Sequence, residues 1–251
     1  MVDQIGVSPL ALLAIIIIVS FAGWLRGLTG FGSAMVMAGP LALLLNPITA
    51  VTLILFLEAM ISIPLMFGCC REVNWSLVKR LLFGATLAAP LGIVTLKFLP
   101  QEIALQVISS LLIIAVIFVM VGYKRLSPDT QAKEFMTGII SGFSCGLAGI
   151  SGPPVVLYLL TGRENPIKIR ATLIYYFTII DFYVLSVFLS VNTSKEIPYV
   201  LAVVCFLIMW VFAFFGAKKI KKINIKKFKK VALWLILIGN SLSLLGSLLL
   251  T

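Results

Sequence analysis

Three ionisable residues stand among long uncharged stretches of the chain: Arg26, Glu58 and Asp181. Arg26 separates uncharged runs at 4–25 and 27–57, and Glu58 closes the second. Next to Arg26 lies a cluster of helix breakers, Gly27-Leu28-Thr29-Gly30-Phe31-Gly32-Ser33. A second cluster is Gly146-Leu147-Ala148-Gly149-Ile150-Ser151-Gly152-Pro153-Pro154. A guanidinium offers an oxyanion a rigid fork of N–H donors. A helix that starts just beyond a glycine cluster offers the same ligand free backbone N–H groups and a partial positive charge. Such starts fall near Ser33 and Gly152, with Pro153 suited to a first helical position. Glycine lets a ligand approach the backbone closely. The candidate anion-contacting set is therefore Arg26, Gly27, Thr29, Gly30, Gly32, Ser33, Ser144, Gly149, Ser151, Gly152 and Pro153.

Glu58 and Asp181 are the candidates for a coupling ion. A carboxylate kept from water holds its proton more tightly, which suits proton exchange. Sodium is open as well, because carboxylates and freed carbonyls bind it. Arg26 keeps a second reading: a permanent ion pair with Glu58 or Asp181 that clamps two helices together. Charged groups inside a bilayer cost about 2.5–3.5 kcal/mol each on insertion scales, so all three are functional candidates.

Other chemistry is scarce. The chain has no histidine, the commonest proton shuttle and metal ligand. Its four cysteines, Cys69, Cys70, Cys145 and Cys205, form no metal-like pairing and read as free thiols. No metal, no cofactor and no enzymatic activity are expected.

The elements that position these residues follow from composition. Hydrophobic residues make up 61% of the 251 and charged residues 12%, with a mean hydropathy of +1.15. A soluble domain has about 45–50% apolar and about 25% charged residues, so lipid is the solvent for most of this surface. The net charge of +11 then speaks of membrane topology and not of nucleic acid. The expected fold is an all-α polytopic membrane protein. Each glycine cluster breaks a helix at membrane depth, which survives only inside protein or along a cavity. Two broken hairpins are expected, at 8–46 and 135–162, with helices near 48–68, 80–97, 103–122, 169–191, 197–217 and 229–250.

The chain also repeats. A shift of 119 residues lays Gly23, Gly27, Leu28 and Gly30 on Gly142, Gly146, Leu147 and Gly149. The same shift lays Asn46-Pro47-Ile48 on Asn165-Pro166-Ile167, and a shift of 124 lays Gly92 on Gly216. Two halves are expected, 1–134 and 135–251. Eight lysines crowd 218–230, whereas the counterpart at 97–102 holds one. The positive-inside rule puts the first on the cytoplasmic side and the second outside. The halves are then inverted, with both termini outside and 17 of the 20 basic residues inside. Inverted repeats with broken helices characterise secondary transporters.

The second cluster, the thinner first one and their repetition resemble the TauE/SafE family of sulfite exporter-like membrane permeases. The resemblance covers nearly the whole chain. It implies a permease or exporter for a small sulfur-containing anion such as sulfite or an organosulfonate. The low cysteine use and the lysine-rich loop fit an inner (plasma) membrane. An anion channel, or a permease for a non-sulfur organic anion, is the alternative. The expected partners are that anion, the lipid bilayer and a coupling H⁺ or Na⁺. A homodimer is compatible with the sequence, and nucleic acid is not expected.

Overall fold

A computed structural model describes residues 8–67, 72–121, 130–160, 166–191 and 199–219, with five single positions between Trp234 and Leu245. Among these residues every regular element is helical. The order is α1 (Pro9–Thr29), α2 (Ser33–Leu44), α3 (Pro47–Met66), α4 (Trp75–Phe98), α5 (Gln101–Val121), α6 (Gln131–Ala148), α7 (Gly152–Leu160), α8 (Pro166–Val191) and α9 (Tyr199–Lys219). Five of them, α1, α3, α4, α8 and α9, contain a stretch long and apolar enough to cross a membrane. The expected helix 229–250 and most of the lysine-rich segment lie outside the described residues.

Both expected breaks are present. α1 and α2 are separated at Gly30–Gly32, and α6 and α7 at Gly149–Ser151. Most helix boundaries agree with expectation, but α4 and α6 start earlier. Asn74 caps α4 by accepting from the Leu77 amide at 3.2 Å. Thr130 caps α6 by accepting from the Lys133 amide at 3.4 Å. The expected starts were set by the nearest charges. Here Lys79, Arg80, Lys133 and Glu134 ride on the opening turns of helices that begin before the apolar stretch. α1 has 21 residues, so this arm of the first hairpin is long enough to cross alone.

Helix α4 illustrates how lipid inverts the usual rule of large residues inside. Its large side chains Phe83, Leu87, Leu91, Val94 and Phe98 form an exposed stripe at helical spacing. Its small residues Gly84, Ala85, Ala88, Ala89 and Gly92 face inward. Lipid is as apolar as leucine, so helices associate through close backbone approach at small residues. α4 crosses α6 this way. A Cβ on Gly138, Gly142 or Gly146 would strike the carbonyl of Leu81, Ala85 or Ala89. α1 crosses α9 in the same manner, with Gly23 and Gly27 against the carbonyls of Met209 and Ala213.

α3 and α8 pack against each other as the central pair, and α2, α5 and α9 also touch α3. Polar ties join the layers. Pro90 has no N–H to bond the carbonyl four residues back. That carbonyl, of Thr86, instead accepts the Tyr183 hydroxyl of α8 at 3.1 Å. Glu134 of α6 pairs with Arg80 of α4 and accepts the Tyr158 hydroxyl of α7 at 3.2 Å. Glu134 thereby ties α6 to α4 and the second arm, α7, to α6.

Candidate functional site

The first break is built around Arg26. Gly30 ends α1 in the left-handed region at φ 79°, where its amide donates to the Arg26 carbonyl at 2.7 Å. A side-chain-bearing residue resists that conformation. Gly149 ends α6 alike, at φ 70°, donating to the Cys145 carbonyl at 2.8 Å. Arg26 is only 2% exposed. Its Nη1 lies 2.6 Å from Glu58 Oε2, and its Nη2 donates to Ser62 Oγ at 2.5 Å. Ser62 passes its own hydrogen to the Glu58 carbonyl at 2.7 Å. The guanidinium also lies 6.0 Å from the ring centre of Phe177 on α8, within reach of a cation–π attraction.

Of the two acids, it is Glu58 that pairs with Arg26. The pairing is one-armed. Arg26 Nε and Glu58 Oε1 are both buried with no hydrogen-bond partner. Ser33, which opens α2 just past the break, is fully buried and its Oγ also lacks a partner. Buried polar atoms are rarely left unmatched, because each costs about 1–3 kcal/mol. A cation's fork, a hydroxyl and a helix N-terminus thus stand within a short span of chain with bonding capacity unspent.

The second break has its named groups bonded. Ser151 Oγ donates to Asp181 Oδ1 at 3.2 Å, and the Cys145 thiol reaches the same oxygen at 3.6 Å. The Ser151 carbonyl accepts from Ser141 at 2.6 Å, and Ser141 accepts from the Tyr176 hydroxyl at 2.8 Å. Asp181 is 2% exposed and close enough to Glu58 and Arg26 to sense both charges.

The remaining expected site residues divide by what holds them. Gly27 sits in the α1–α9 crossing. Ser144 gives its hydroxyl hydrogen to its own helix, at the Ile140 carbonyl, 2.8 Å away. Gly32 precedes α2 in the left-handed region at φ 91°. Gly152 begins α7 with Phe177 near its backbone, so Pro153 is the second helical residue and not the first. The Thr29 side chain lies outside the described residues.

Ser62, Ser141, Cys145, Tyr176 and Phe177 are not among the expected site residues. A signal for two of them was available in the repeat. The 119 shift carries Arg26 to Cys145 and Ser62 to Asp181. That shift therefore lays the Arg26–Ser62 contact on the Cys145–Asp181 contact.

The family model of the Sulfite exporter TauE/SafE matches residues 15–241. A relative from Cupriavidus necator, described as "Probable sulfite/organosulfonate exporter TauE", is 27% identical over 164 residues. That match spans 62% of this chain and 63% of the relative, just under two thirds of its length. No solved structure matches the chain significantly. The family consists of membrane transporters and not enzymes, and its model covers both helix breaks, the central α3–α8 pair and Arg26, Glu58 and Asp181. The chain belongs to the TauE/SafE family.

Proposed function

We propose that the chain is a secondary transporter of a small sulfur-containing oxyanion, such as sulfite or an organosulfonate, bound at the broken helices and coupled to H⁺ or Na⁺. The observation that carries this reading is Arg26, a buried cation at a helix break with its Nε unpartnered. Ser33 Oγ and the first turn of α2 add donors of the kind that recognise sulfonyl oxygens. Glu58 and Asp181 are the acids available for a coupling cation. The name of the Cupriavidus necator relative points to the same substrate class.

The carrier mechanism requires two halves that move against each other. We infer inverted repeats at 1–134 and 135–251, in the inner (plasma) membrane with both termini outside. Glycine contacts support the repeat. Gly23 meets Met209 and Gly27 meets Ala213. Shifting the glycines by 119 gives Gly142 and Gly146, which meet Ala85 and Ala89. Those partners stand 124 residues before Met209 and Ala213, the shift that also relates Gly92 to Gly216. One half's broken helix thus crosses the other half's fourth helix in both directions, as a two-fold relation demands.

Thermal unfolding of the purified protein tests the site. Sulfite and methanesulfonate should raise the midpoint in the native protein, and neither should do so in Arg26→Ala. Equal stabilisation of that variant would remove Arg26 from the anion site.

A further inference from the structure

The Arg26–Glu58 pair is neutral, buried and incompletely bonded. A guanidinium meets a carboxylate best through two parallel N–H···O bonds. Here one arm reaches Glu58, a second reaches Ser62, and Nε and Oε1 are left unmatched. An incoming oxyanion with several oxygens is the better partner for this fork. It cannot simply join the pair, since a second negative charge in a low-dielectric site would stand uncompensated.

Resting on the anion-transport reading, we propose that Glu58 is a built-in stand-in for the substrate: the anion displaces Glu58 from Arg26, and the displaced carboxylate takes up a proton. The exchange balances as Arg26⁺···⁻O₂C–Glu58 + A⁻ + H⁺ → Arg26⁺···A⁻ + HO₂C–Glu58. The pocket keeps its net charge throughout. The added proton also gives Glu58 a donor in place of its lost cation. Each monoanion bound then brings one proton with it, which makes Glu58 the coupling group and leaves Asp181 to hold Ser151 and Cys145.

The titratable and charged groups around Glu58 fit this division. Arg26 faces it from α1. Asp181 of α8 and Cys145 of α6 lie within electrostatic range. Tyr176 on α8 is committed to Ser141. Buried Cys205 is on α9, α2 has no charged residue, and Glu102 of α5 and Lys218 of α9 are exposed at helix ends. On α8, Lys168 is half-buried and Arg170 is exposed with its Nε beside Gly30, and neither forms an ion pair with Glu58. Arg26 is thus the basic group that pairs with Glu58 among the described residues, and losing it leaves a proton as the compensating charge.

The sign of the pH dependence follows. The anion-bound state holds one more proton than the free state, so affinity rises as pH falls. Methanesulfonate is the suitable probe because it stays a monoanion throughout. Calorimetry in buffers of different ionisation heat should count about one proton taken up per methanesulfonate bound, with affinity tightening up to about tenfold per pH unit lowered. Glu58→Gln should bind methanesulfonate with no proton uptake and no pH slope. Native binding without proton uptake, or unchanged uptake in Glu58→Gln, overturns the exchange and leaves the anion reading intact. No binding of methanesulfonate or sulfite to the native protein overturns both. Infrared difference spectra of the native protein avoid any variant that folds poorly. A protonated-carboxyl band should appear on adding methanesulfonate and persist in Asp181→Asn. Its absence from the native spectrum, or its loss in Asp181→Asn, overturns the assignment to Glu58.

Discussion

On the proposed reading, the Ser33 hydroxyl is held for a ligand, whereas most other buried hydroxyls serve their own helices. Thr52, Ser62, Thr86, Ser144 and Thr178 all return their hydroxyl hydrogen to a carbonyl of their own helix. Ser33 does not, although it is fully buried. Ser33→Ala should therefore leave the ligand-free protein as stable or about 1 kcal/mol more stable, since an unmet polar group is removed. The same variant should bind anion roughly tenfold more weakly, the worth of a hydrogen bond to a charged group. Paired thermal and binding titrations read both effects, and a fall in ligand-free stability would mean that Ser33 serves packing. Arg26, Glu58 and Asp181 were legible in the sequence because charge is costly in lipid and so stands out. Ser62 was not, because serine is common in membrane helices. Only its fall on Asp181 under the repeat distinguishes it.

At the scale of elements, two kinds of glycine occur in the broken hairpins, and they should respond differently to substitution. Gly146 lies where α6 crosses α4, with the Ala89 carbonyl in the way of any Cβ. Gly146→Val should force the helices apart, at about 3 kcal/mol or more, and lower the yield of folded protein sharply. Gly30 has room beside it, the nearest atom being Arg170 Nε at 3.4 Å. Its constraint is the positive φ, so Gly30→Ala should cost only about 1–2 kcal/mol while disturbing anion binding at the break. Detergent-resistant yield and sulfite-dependent stabilisation, measured on both variants, check the contrast. The sequence announced each cluster as a helix break but could not divide its glycines between crossing and turn. Glycine serves both ends, and only the neighbouring helix decides. The early starts of α4 and α6 were hidden for a related reason. Charge marks where a helix leaves lipid, whereas Asn74 and Thr130 mark where it begins.

At the scale of the whole molecule, the repeat and the lysine distribution make one prediction about orientation. Lys97 at the end of α4 should lie outside, and Lys133 at the start of α6 inside. With Cys69, Cys70, Cys145 and Cys205 replaced by serine, single cysteines from Lys97→Cys and Lys133→Cys should react with a membrane-impermeant maleimide from opposite faces of the membrane. Labelling of both from the same face would reject the inverted arrangement. The helical class and the existence of two breaks were legible because hydropathy and glycine density are strong local signals. The long-range pairing of α1 with α9 and of α4 with α6 was not, because helix contacts in lipid depend on which small residues meet. On the proposed reading, an anion crosses the membrane by way of Arg26. Efflux of radiolabelled sulfite from proteoliposomes, with and without an imposed pH gradient, tests it most directly. Saturable, gradient-sensitive efflux that is lost in Arg26→Ala is the predicted result. Efflux from native protein no faster than from empty liposomes, or equal efflux through Arg26→Ala, would contradict it.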